Sequence, residues 1–117
     1  MTIKTEGVHA GEILLSEANG TRSREEITLA ASAAVLPAGQ VLGRITATGH
    51  YVPYDPDVDP ADGSEKAAAV LYAPVGPSTA AQRGIGIVRD AEVKGELIRG
   101  VDAAGVADLL ALGIVCR

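Results

Sequence analysis

Leu36-Pro37-Ala38-Gly39-Gln40-Val41-Leu42-Gly43-Arg44-Ile45-Thr46, with its continuation to Tyr54, decides how the chain is read. Pro37 fixes φ and Gly39 reaches positive φ at little steric cost, so the two make a tight turn. Val41, Leu42, Ile45 and Thr46 follow as a strand interrupted by Gly43. A glycine inside a strand marks a bulge or a close backbone approach. Gly49-His50 reads as the next turn and Tyr51-Val52-Pro53-Tyr54 as a short return strand. The stretch is a β-hairpin with constrained corners, and it carries no obvious chemistry.

On the N-terminal side, Ser23 to Val35 satisfies two patterns. Ser23 and Glu26 match a capping box, and Ile27, Ala30, Ala31 and Ala34 share a helical face. Ile27-Thr28-Leu29 equally reads as a strand entering the Leu36 to Gly39 turn. Upstream of Arg24 the pattern is irregular: Gly7, Gly11 and Gly20 break it, and Ile13-Leu14-Leu15 is its one apolar cluster. Such a segment buries too little surface to fold alone. Residues 1–24 are therefore read as an extended N-terminal arm and residues 25–117 as a β-rich domain. Leaving Ile13-Leu14-Leu15 in water is costly, which points to a partner that covers it.

On the C-terminal side, Asp55 to Glu65 is an acidic, Pro-containing loop, and Ala67 to Tyr72 an apolar strand ended by Pro74, Gly76 and Pro77. Ser78 to Arg83 reads as one helical turn capped by Ser78 or Thr79. Gly84 to Arg89 is a strand, Asp90-Ala91 a turn, and Glu92 to Ile98 a further strand broken at Gly95. Asp102 is a helix N-cap candidate, with Val106, Leu109 and Leu110 on one face and Gly113 at C′. Ile114-Val115-Cys116 closes the chain as a short strand. Short strands, Gly/Pro turns and one short C-terminal helix make the fold mainly β, a small barrel-like or clip-like subunit.

Composition bounds the function. The 117 residues make one domain with no Phe and no Trp, and Ala supplies 20 of its hydrophobic residues. A buried Ala contributes much less than the roughly 1.5–3 kcal/mol of a large aliphatic side chain, so burial between subunits is a natural remedy. The net charge is −5 and the Lys and Arg residues are scattered, which argues against nucleic-acid binding through a basic stripe. Apolar runs are far shorter than the about 20 residues of a membrane span, and Met1 to Glu6 lacks a signal-peptide pattern. Cys116 is the single cysteine, so no internal disulfide forms. Synthesis in a reducing cytoplasm fits.

No cofactor or metal site is expected. Asp57, Asp59 and Asp62-Gly63 have the wrong spacing for a calcium loop, with Ala68 where its bidentate Glu would stand. His9 and His50 have no second ligand at metal spacing. Cys116 reads as a small apolar strand residue, Arg89-Asp90 as a strand end and turn, and Gly84-x-Gly86 lacks the third glycine of a dinucleotide loop. These residues support no enzyme.

Leu36-Pro37-Ala38-Gly39-Gln40-Val41-Leu42-Gly43, Tyr51 to Asp55, Ala67 to Tyr72, Ile87 to Val93 and Leu112 to Val115 occur in that order, after Ser16 to Gly20 and Ser23-Arg24-Glu25-Glu26. Together they resemble the head decoration proteins of lambda-like phages, from about Glu12 to Arg117. The resemblance implies a homotrimer of β-rich, clip-like subunits. It would sit outside an expanded icosahedral head at local three-fold sites, clamping the major capsid protein against the pressure of packaged DNA. It also implies that the N-terminal arm contacts the capsid and that a strand follows Ser23 to Glu26, placing it at Glu26 to Ala30 with a helical turn still open for Ala30 to Val35. The expected capsid-binding residues are Glu12, Ile13, Leu14, Leu15 and Ser16, with Arg22 and Arg24 at the arm's base. The rival reading is a β-clip carbohydrate- or ligand-binding module, for which Tyr51, Tyr54, His50 and the acidic loop would have to serve.

Overall fold

A computed structural model describes residues 10–18, 20 and 22–117. Eight strands and one helix follow in the order β1 Leu14–Glu17, β2 Arg24–Leu29, β3 Val41–Arg44, β4 Tyr51–Pro53, β5 Ala67–Leu71, β6 Gln82–Ile87, β7 Ala91–Val93, α1 Ala103–Ala111 and β8 Ile114–Cys116. Five of them close a barrel in the order β2-β4-β3-β5-β6, and β1-β7-β8 form a separate three-stranded sheet. The fold is mainly β, with a short C-terminal helix, as the pattern of short runs and turns predicts.

The opening stretch builds the barrel's corner. Gln40 N–H donates to the Pro37 carbonyl at 3.2 Å, and Gly39 sits at φ 90°, where an L side chain is strained. Gly43 does both things a strand glycine can. The β3–β5 register shifts between Leu42 and Gly43, and a Cβ on Gly43 would lie 2.5 Å from the Ser64 carbonyl oxygen. β3 then pairs antiparallel with β4 through Leu42–Pro53 and Arg44–Tyr51, which is the expected hairpin. β3 itself ends at Arg44, and Thr46 falls in the turn.

Burial explains the two styles of apolar run. β2 alternates: Ile27 and Leu29 are buried while Glu26 and Thr28 face water. In β5, Ala69, Val70 and Leu71 are all buried because the strand has a core on each face. Ala69 and Leu71 join Ile27, Leu29, Leu36 and Leu42 in one core. Val70 joins Val41, Ile87, Val93, Leu109 and Ile114 in the other, where the small sheet and α1 pack on the barrel.

The Ser23 to Val35 ambiguity resolves as strand. Arg24 to Leu29 pair residue by residue with Ile87 to Gln82, and this ladder overrides helix propensity. Ala30 to Val35 form no helix: Ser32 bridges Ser78 instead. Three expectations need correction. Ser78 to Arg83 is not a helical turn, because Ser78 Oγ accepts from Ala80 N–H in a local turn and Gln82 and Arg83 already pair in β6. The strand from Glu92 stops at Val93, where Leu97 N–H returns to the Lys94 carbonyl and Gly95 N–H to Arg117. On α1, Leu109 is buried but Leu110 is exposed, so the apolar face is narrower than its sequence pattern. Asp102 caps the helix as expected, its carboxylate accepting Gly105 N–H at 2.8 Å.

Candidate functional site

The N-terminal segment carries every residue expected to bind, and the structure ties much of it to the domain. Gly11 N–H donates to the Tyr72 carbonyl at 3.1 Å, and the Ile13 carbonyl accepts Lys94 N–H at 2.7 Å. Ile13 is fully buried among Val41, Val93 and Ile114. β1 pairs antiparallel with β7, with a register shift between Leu14 and Ser16. Ile13 is thus a core residue of its own subunit, covered without any partner. Leu14 is half-buried against the same core, whereas Leu15 is 47% exposed and Ser16 faces solvent. Ile13 precedes β1, and the register shift between Leu14 and Ser16 breaks the strand's alternation, so Leu15 and Ser16 both face outward. The arm before Ala10, His9 within it, and Asn19 and Thr21 lie outside the described residues.

A polar latch holds the β1–β2 connection. Ser23 is fully buried; its hydroxyl accepts from Ala18 N–H at 2.9 Å and donates to the Asp90 carbonyl at 2.7 Å. Arg22 reaches the Asp90 carboxylate at 2.8 Å. Arg89 donates to the Arg22 carbonyl and to Glu25, both at 2.6 Å. Arg24 makes a two-pronged contact with Glu17, and its guanidinium stacks 4.3 Å from the centre of the Tyr72 ring. The hydrogen bond that Arg24 donates to Glu17 is the main cause that raises the Arg24 pKa, against opposing desolvation. Arg22 and Arg24, expected at the arm's base among the capsid-binding residues, are engaged with acids of their own chain. Ser23 and Asp90 were absent from the expected set, although a Ser directly before a strand and an Asp in the Asp90-Ala91 turn were visible in the sequence; Asp90 takes a positive φ of 47° there.

Elsewhere the acidic side chains serve the fold. Asp55 accepts Asp57 N–H, Asp62 accepts Ser64 N–H and Oγ, and Glu65 accepts Gly63 N–H. The two Ser64 bonds hold the Asp62 carboxyl below its ordinary pKa. Among the described residues, no three His, Cys, Asp or Glu side chains converge as metal ligands. No described helix is long and apolar enough to cross a membrane. Tyr54, a candidate of the ligand-binding reading, is nearly buried and donates to Asp102 at 2.8 Å, so it does not line an open aromatic platform. Burial, with this hydrogen bond second, pushes the Tyr54 pKa up to about 12. Half-buried Cys116 has its thiol pKa raised by burial.

The ordered run of motifs along the chain meets one comparison. The family model of bacteriophage lambda head decoration protein D matches residues 3–114. The chain belongs to that family. Curated proteins returned no match. Membership makes the chain a structural component of a phage virion with a role in decorating the capsid. Of the residues expected to bind, Glu12, Leu15, Ser16 and Arg22 are exposed, while Ile13, Leu14 and Arg24 are wholly or partly buried.

Proposed function

We propose that this decoration protein binds the outside of an expanded phage head as trimers at local three-fold sites and cements neighbouring major capsid subunits against the pressure of packaged DNA. The family match over residues 3–114 carries the reading. Clamping needs a rigid body, and the closed barrel with its docked sheet supplies one. Three copies bind one site multivalently, so modest single contacts add up to firm attachment.

The capsid contact is assigned to the N-terminal side, to the segment preceding Ala10 together with the exposed face of β1 at Leu15 and Ser16. β1 is an edge strand of its sheet, and such edges accept a further strand from a partner. Ile13 and Leu14 act from within, by fixing β1 on the domain. The test is co-sedimentation with expanded, undecorated heads of the phage or prophage that encodes the chain, using the full chain and a form lacking residues 2–9. The full chain should saturate the heads and raise their resistance to heat. The shortened form should stay folded and bind much more weakly. Equal binding by both would remove the arm from the account, and no binding by either would remove the capsid role.

A further inference from the structure

Two segments remote in sequence are free of charge. None of the ten Lys and Arg or fifteen Asp and Glu falls between Ile27 and Gly43 or between Ala67 and Gln82. The fold lays the exposed parts of these segments side by side. Ser32 bridges Ser78 through two backbone hydrogen bonds of 3.0 and 2.8 Å, and Leu36 bridges Val75 through two of 2.9 Å. The β2–β3 and β5–β6 connections thereby form one surface at the end of the β2–β6 ladder. It holds an open groove of about 790 Å³ lined by Ala31, Ser32, Ala33, Pro77, Ser78 and Thr79. Val35 in the same connection is 58% exposed. Exposed Leu112, by contrast, shares its groove with Glu25, Arg44, Lys66 and Arg89.

We infer that this uncharged face is the subunit–subunit contact, meeting its own copies about a three-fold axis. The inference rests on the trimer reading above and assigns it a surface. Charge decides the occupant. Each chain carries a net charge of −5, so copies repel wherever their acidic surfaces meet, and they approach most easily through a face without charge. Charge depletion is also what marks the centre of protein interfaces. Small side chains let three backbones come close, and the hydroxyls of Ser32 and Ser78 accept N–H groups of their own connections, leaving no demand for an ionic partner.

Two substitutions on the two separate connections, Ala33→Arg and Thr79→Arg, test it beside Ala47→Arg, an exposed control in the β3–β4 hairpin. Light scattering after size exclusion, and cross-linking on decorated heads, read the oligomer. Both face variants should weaken trimerisation by at least about 100-fold, since three like charges would be brought together. The control should remain trimeric. Hydrogen exchange of the unaltered chain should show residues 31–35 and 76–81 losing protection as the trimer is diluted apart, which tests the face even if a variant fails to fold. A trimer unaffected by both substitutions overturns the surface assignment alone. Variants that stay trimeric but no longer bind heads would give the face to the capsid protein instead. An unaltered chain that is monomeric both in solution and on heads overturns the trimer reading, and this inference with it.

Discussion

Ile13 and Leu15 lie two positions apart in one apolar cluster and do different work. Ile13 is enclosed by the second core, so Ile13→Ala should cost about 2–5 kcal/mol in a denaturant melt, with or without a capsid. Leu15 is 47% exposed, so Leu15→Glu should leave stability within about 0.5 kcal/mol and weaken head binding. Equal destabilisation by both would contradict the placement of β1. Gly43 is one of two residues in the opening hairpin, with Gly39, where a Cβ would lie 2.5 Å from a backbone oxygen. Gly43→Ala puts a methyl 2.5 Å from a backbone oxygen, and the chain should lose about 1–3 kcal/mol or fail to fold. A variant as stable as the parent would mean that the β3 bulge yields. The strand, the bulge and the turn at Gly39 were legible in the sequence because local sterics dictate them. The burial of Ile13 was not, because it depends on β7 and β8, about 80 to 100 residues away in sequence.

At the scale of elements, α1 is set by its cap. The Asp102 carboxyl is held below its ordinary 3.8 first by the Gly105 N–H and then by the Tyr54 hydroxyl. A depressed carboxyl stabilises the fold above its unfolded value, and that contribution disappears as pH falls through the lower folded value. Asp102→Ala should therefore lower Tm by roughly 3–8 °C at neutral pH and flatten the acid limb below about pH 4, by thermal melts across pH. Tyr54 has the opposite sign. Its raised pKa favours the fold below pH 10 and that stability drains away as pH climbs toward about 12, so Tyr54→Phe should flatten the alkaline limb. Limbs of unchanged slope would mean that neither bond is made in solution. The helix and its cap could be read from Asp102 to Gly113 alone. Ser78 to Arg83 misled because a Ser/Thr turn and a helical N-cap share the same residues, and only pairing with β2 separates them.

Across the whole molecule, the core is thin in side-chain volume: Ala38, Ala67, Ala69 and Ala91 fill buried positions and no Phe or Trp is present. The fold compensates with a closed barrel and a second core that recruits the N-terminal strand. Removing residues 2–20 should therefore unfold or strongly destabilise the subunit, whereas removing residues 2–9 should leave it near the parent in circular dichroism and Tm. The most direct test of the decoration role is electron cryomicroscopy of expanded, undecorated heads incubated with the purified chain. The account predicts added density of three subunits on the outer surface at each local three-fold position, with β1 toward the capsid and the uncharged Ser32–Ser78 face toward the axis. Bare heads at saturating protein, or density at other symmetry positions, would contradict it.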